Sequence, residues 1–201
     1  MRSAVTLCLV PEAASGPFVL RTPLPEAFAT AAALGFDAVE LFLPGADFVS
    51  VAEVRILAER HGLAIAAVGT GAGWLRQGLS LTDASEENRE AALEFVFSMI
   101  DFGGELGAPA ILGSMQGRGA SPQSRDHLVA GLRRCADRAA TICGWPASAL
   151  RIAAPFCRPL ASSRAAGKLA GSRGERCMPS AVRRYGACPR AADCGAMSFH
   201  R

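Results

Sequence analysis

The chain predicts an α/β fold built on a parallel sheet, and two observations carry that prediction. Through residue 140, apolar runs of strand length alternate with amphipathic segments of helix length, and Gly or Pro punctuates most of the exchanges. Strands separated by helix-length crossovers pair in parallel. A third observation limits the reach of the first two. Residues 1–140 hold 16 Asp+Glu against 11 Lys+Arg, whereas 141–201 hold 2 against 10, so a front of net charge −5 meets a tail of +8. Only six Val, Ile or Leu follow residue 140, too few to offset the entropy of ordering that segment. The chain thus divides into a folded unit, 1–141, and a basic Cys/Arg/Ala/Pro-rich tail, 142–201, expected to be disordered.

Four strand-then-helix units are expected in the front. Ser3–Val10 is an apolar run long enough for a strand buried on both faces. Pro25–Leu34 is Ala-rich and helical, with Gly35 as its stop. Ala38–Leu43 is the second strand, ended by Pro44-Gly45, and Phe48–His61 repeats Val51, Val54, Leu57 and Ala58 at helical spacing before Gly62. Leu63–Val68 is the third strand. Asp83 or Ser85 caps a long helix, with Glu86, Glu87 and Glu90 near its positive end; this helix is expected to bury Ala92, Phe95, Val96 and Met99. Ala110–Gly113 is the fourth strand, and Ser124–Ala140 a helix with Leu128, Leu132 and Cys135 on one face.

Composition excludes several classes. No apolar run approaches the roughly 18 residues of a membrane helix, and the run after Met1-Arg2 reads as a buried first strand rather than a secretory leader. Five of the seven cysteines fall in the tail without metal-ligand spacing, and Cys8 and Cys135 stand alone, so the expected compartment is the cytoplasm. A parallel sheet of this kind is either an open doubly wound sheet or a (β/α)₈ barrel, and in both, ligands meet the carboxyl ends of the strands. The candidate chemistry therefore lies in Val10–Ser15, Glu40–Asp47, Gly69–Leu79 and Ser114–Gly119.

Those loops carry a resemblance. Gly35-Phe36-Asp37-Ala38-Val39-Glu40-Leu41-Phe42, Thr70-Gly71-Ala72-Gly73-Trp74, Leu79-Ser80-Leu81-Thr82 and the run from Glu105 to Arg118, ending Gly-Ser-Met-Gln-Gly-Arg, are similar to the sugar phosphate isomerase/epimerase family of xylose-isomerase-like TIM barrels. The resemblance covers about residues 3–140 and favours an incomplete (β/α)₈ barrel of about four units over an open sheet. It implies proton transfer next to a carbonyl on a sugar or hydroxy-ketone, assisted by a divalent metal, Mn or Mg. It also implies a metal carboxylate on strand five, in a motif like Glu-Pro-Leu-Asn-Arg. Here Ile142–Leu150 holds no Glu, and none occurs between Asp137 and Glu175. The chain is therefore expected to lack the metal centre and to be inactive.

Glu40, at the end of strand two, is the candidate catalytic carboxylate; the bland alternative is a surface carboxylate paired with Arg76. Trp74, Ser114, Gln116 and Arg118 are the candidate substrate-binding residues: Ser114 and Gln116 for hydroxyl groups, Arg118 for a phosphate or carboxylate. No metal ligand is assigned, and Gly69, Gly71 and Gly73 are read as a tight barrel loop rather than a phosphate cradle. The other reading is a noncatalytic α/β fragment whose basic tail binds a partner or nucleic acid. The tail's composition is what a shifted reading frame yields in a GC-rich gene: the chain has one Lys, Lys168, against 20 Arg. Finally, a sheet that stops after four strands is expected to leave strands one and four as open edges. Leu7, Leu41, Val68 and Leu112 would then face an uncovered interior and favour self-association.

Overall fold

The first apolar run forms β1 (Ala4–Cys8), which pairs in parallel with β2 (Ala38–Phe42) from Ala4↔Ala38 to Cys8↔Phe42. β3 (Ala64–Gly69) pairs with β2, and β4 (Ala110–Leu112) with β3, giving a sheet in strict sequence order. The structure is a computed structural model that describes residues 2–119, 121–143 and 151–152. Within that range a fifth strand, β5 (Arg151–Ile152), which sequence reading did not place, pairs in parallel with β4. Strand four is therefore not an open edge. The expectation of a disordered tail otherwise lies outside the described residues.

Helices α1 (Leu24–Ala33), α2 (Val51–His61), α4 (Glu86–Glu105) and α5 (Pro122–Cys143) form because apolar residues recur at helical spacing between explicit stops. Ser50 caps α2 by accepting from the Glu53 amide at 3.1 Å, so the helix starts three residues later than Phe48. Gly62 ends it at φ 65°, a left-handed turn that costs glycine nothing. Ser85, not Asp83, caps α4. A short helix that the sequence hid, α3 (Ala72–Gln77), occupies the loop after β3.

All the long helices lie on one face of the sheet. Leu7, Val39, Leu41 and Val68 pack in one buried cluster with Phe28 of α1, Leu57 of α2 and Met99 of α4. Ala110 and Leu112 pack with Val96 and Ile100 of α4 and Cys135 of α5. Sequential strand order with helices on one face is single winding, the geometry of a barrel wall; a doubly wound sheet reverses order and covers both faces. Leu7, Leu41, Val68 and Leu112 are each 0% exposed beneath the helices, which corrects their expected place in an uncovered interior. Burying one such side chain is worth about 1.5–3 kcal/mol.

The opposite, inner face follows from the register in three rows. Ala4, Ala38 and Ala64 form the lowest, Thr6, Glu40 and Ala67 the middle, and Cys8, Phe42, Gly69 and Ile111 the highest. A bulge between Val39 and Glu40, which leaves Ala66 without a partner residue on β2, shifts the register there.

Candidate functional site

The loops after β1, β3 and β4 gather over the upper row of the inner face, where Cys8, Phe42, Gly69 and Ile111 are buried. Glu40 is half-buried, and its Oε1 lies 3.7 Å from where a methyl on Gly69 would sit. That methyl would also meet the Phe42 ring at 2.9 Å. One step further, a methyl on Gly71 would contact the Phe42 ring at 3.0 Å and Ser114 Oγ at 3.2 Å. Gly69 and Gly71 are therefore glycine because the Phe42 ring lies across them: both are buried beneath it, with the Glu40 carboxylate near Gly69 and the Ser114 hydroxyl near Gly71. Gly73 is the third: its methyl would strike Met115 Sδ at 2.7 Å. The Gly-x-Gly-x-Gly run is close packing of loop on ring and thioether.

The other candidates are placed differently. Gln116 donates its side-chain amide to the Leu112 carbonyl at 3.0 Å, which ties it to the end of β4. Trp74, half-buried on α3, packs against the cluster of Leu81 and Met115. Arg118 is exposed just beyond the 3₁₀ turn Ser114–Gln116. Glu40 and Ser114 thus flank the same Phe42 ring, with Gln116 two residues beyond Ser114 on the turn after β4. Arg76, the partner that the bland reading offered Glu40, makes two contacts elsewhere. Its Nε pairs with Glu12 Oε1 at 3.1 Å and its Nη1 donates to the Pro44 carbonyl at 3.4 Å. The Glu12 carboxyl is held below its ordinary range, first by a backbone amide and then by Arg76.

Two contributors escaped sequence reading. Phe42 stacks on Phe18 from the loop after β1, with ring centroids 4.9 Å apart and planes 24° apart. Thr6 lies in the same row as Glu40. Period-two alternation along Ala4–Cys8 would have put Thr6 and Cys8 on one face, had β1 not been read as apolar on both.

Residues 28–143, more than half of the chain, match the family described as xylose isomerase-like TIM barrel. The chain belongs to that family. Solved structures agree on the fold. A D-psicose 3-epimerase with D-tagatose from Clostridium cellulolyticum H10 superposes with TM-score 0.52 at 15% identity, over 71% of this chain and 50% of that one. A 3-keto-D-glucoside 4-epimerase from E. coli, in its apo form, gives 0.51 at 16% identity, over 71% and 53%. Protein SMc04130 from Sinorhizobium meliloti 1021 gives 0.51 at 19% identity, over 74% and 49%. The chain spans about half the length of these solved structures. No curated protein sequence matches it.

The metal that the resemblance implies is tested by the donor set. Among the described residues no three His, Cys, Asp or Glu side chains gather as a metal-holding group. Glu40 is the one acidic residue in the described strands. These residues do not fit a divalent ion by themselves.

Proposed function

We propose that the front of this chain is the substrate-holding half of a sugar isomerase/epimerase barrel, and that the 201-residue chain binds a sugar or hydroxy-ketone without turning it over. The observation that carries this reading is the gathering of the Glu40 carboxylate and the Ser114 hydroxyl around the Phe42 ring, one beside Gly69 and the other beside Gly71. At that position Glu40 accepts hydrogen bonds from substrate hydroxyls and stands as base for a proton next to the carbonyl. Ser114 and Gln116 hydrogen-bond hydroxyls, Trp74 borders the rim, and Arg118 meets a phosphate or carboxylate. A solved relative by fold carries D-tagatose and another D-fructose, which supports a ketose as the ligand class. Turnover in this chemistry needs a divalent ion to polarise the carbonyl, and the described residues do not assemble its ligands. The tail's composition supports a reading-frame shift between about Cys135 and Gly144 as the reason. Buried free thiols at Cys8 and Cys135 support a reducing, cytoplasmic setting.

Calorimetric titration with D-tagatose and D-fructose tests this, alongside an epimerisation assay with added Mn²⁺ or Mg²⁺. The full chain should bind a ketose. Glu40→Gln, which removes a charge-assisted hydrogen bond worth about 1.5–3 kcal/mol, should weaken binding about tenfold or more. No product should form with either metal. Metal-dependent epimerisation by the 201-residue chain overturns the proposal, as does ketose binding indifferent to Glu40. Reading the gene across the junction in all three frames tests the frame shift: an open frame encoding this tail in independent clones refutes it.

A further inference from the structure

The edge of β1 that faces away from β2 is occupied by the chain's own loop. Along β1, successive amides point to opposite edges. The Leu9 amide donates to the Phe42 carbonyl, the β2 side, at 2.9 Å, while the Cys8 amide donates to the Leu20 carbonyl at 2.9 Å. Leu7 and Leu20 form an isolated parallel bridge there. The bridge is one residue long, and Pro17 and Pro23 stand on either side of it, with no amide proton to extend a ladder.

Two further contacts hold the segment in place. Arg21 spends its guanidinium on the loop's own backbone, donating to the carbonyls of Ala13 at 2.8 Å, Gly16 at 3.0 Å and Phe18 at 3.2 Å. Phe18 is anchored on Phe42 by the ring stack. One feature opposes them: Thr22 Oγ1 is buried without a hydrogen-bond partner, a penalty carried only while the segment is docked. An unprotected strand edge is a template for pairing with another chain, and here a short, proline-flanked segment fills the position.

We propose that Pro17–Pro23 is an edge strap that keeps β1 at Leu7–Cys8 from pairing with a second copy of this chain. Arg21 is its fastening; undocking the strap exposes the Cys8 amide to a partner strand. The test is amide hydrogen exchange at Cys8 with sedimentation velocity, on the full chain, for wild type, Arg21→Ala and Arg21→Lys. In Arg21→Ala the Cys8 amide should exchange at least tenfold faster than wild type at low protein concentration. It should regain protection as concentration rises and a larger species sediments. Arg21→Lys, which cannot span three carbonyls, should behave like the alanine variant. Wild-type protection in Arg21→Ala overturns the proposal. So does fast exchange at every concentration without a gain in association. If the amides of Leu41 and Val68 also open in Arg21→Ala, the change is global; Phe18→Ala, which leaves Arg21 in place, then decides between the same outcomes.

Discussion

Gly117→Ala should be among the most damaging single-methyl additions in this protein. Gly117 ends the 3₁₀ turn Ser114–Gln116 at φ 77° and ψ −177°, a conformation that is in effect glycine's alone and costs other residues about 1–3 kcal/mol. The added methyl also falls on the hydroxyls of Thr82 and Ser80. That pair cannot simply retreat: the two hydroxyls are 3.2 Å apart in a hydrogen bond, and the Ser80 amide donates to Asn88 Oδ1 at 2.9 Å. Overpacking of this kind costs about 1–3 kcal/mol, so the total is roughly 2–6 kcal/mol. For a chain of this size, a loss of about 3 kcal/mol lowers Tm by roughly 6–12 °C. Denaturant and thermal unfolding would measure it, with Thr82→Ala as a second background. Removing the Thr82 hydroxyl relieves part of the collision but none of the backbone strain. Gly117→Ala should therefore cost about 1 kcal/mol less there. A variant within 0.5 kcal/mol of wild type, or an equal cost in both backgrounds, refutes the reasoning.

Two other outcomes follow from buried polar groups. Thr22→Val replaces an unpartnered buried hydroxyl with a methyl and should stabilise the fold by about 1 kcal/mol, read as a higher denaturation midpoint; a loss of stability would mean the hydroxyl has a partner. The Cys135 thiol is pushed up to about 11, chiefly by burial. A folded value raised above the unfolded one holds its full stabilisation below pH 9, and stability then falls as pH climbs towards 11. The loss, at most on the order of 2–3 kcal/mol, should shrink in Cys135→Ala, measured by denaturant midpoints from pH 8 to 11. Equal slopes in both proteins would contradict the burial of the thiol. Iodoacetamide at pH 8 should likewise leave Cys135 unmodified in the folded chain, by mass spectrometry.

Much of the fold could be read from residues whose roles are local. Ser85 before an acidic first turn, Gly62 after His61, and Gly35 after an Ala-rich run each mark a helix end by chemistry that acts within one turn. The faces of the strands could not. The inner rows are rich in Ala and Gly, so Ala4–Cys8 and Ala64–Gly69 look apolar on both sides and the alternation that assigns a face is lost. Leu7 and Leu41 therefore read as interior from the sequence, whereas they lie under the helices. Helix α3 was missed because Gly71-Ala72-Gly73 has poor helical propensity and no side-chain cap; packing of its glycine on Met115 and Phe95 supports it instead. The same long-range packing brings Ser114 to Phe42, and no spacing within either segment could announce it. Glu40 and Ser114 stand out in the sequence by strand-end position, which the barrel geometry makes informative.

The lowest inner row has a mechanical consequence. Ala4, Ala38 and Ala64 present only methyl groups on one side of the sheet, while Val5, Val39 and Ile65 stand on the other. Each strand is a tapered block, thick where it meets the helices and thin where it faces the axis, as the stones of an arch are. Such blocks set side by side bend the sheet towards their thin ends. The radius of the wall is thus written into this half of the ring. Three methyls at its base supply little bulk, so whatever packs against the alanine course must bring it, in long or ringed side chains.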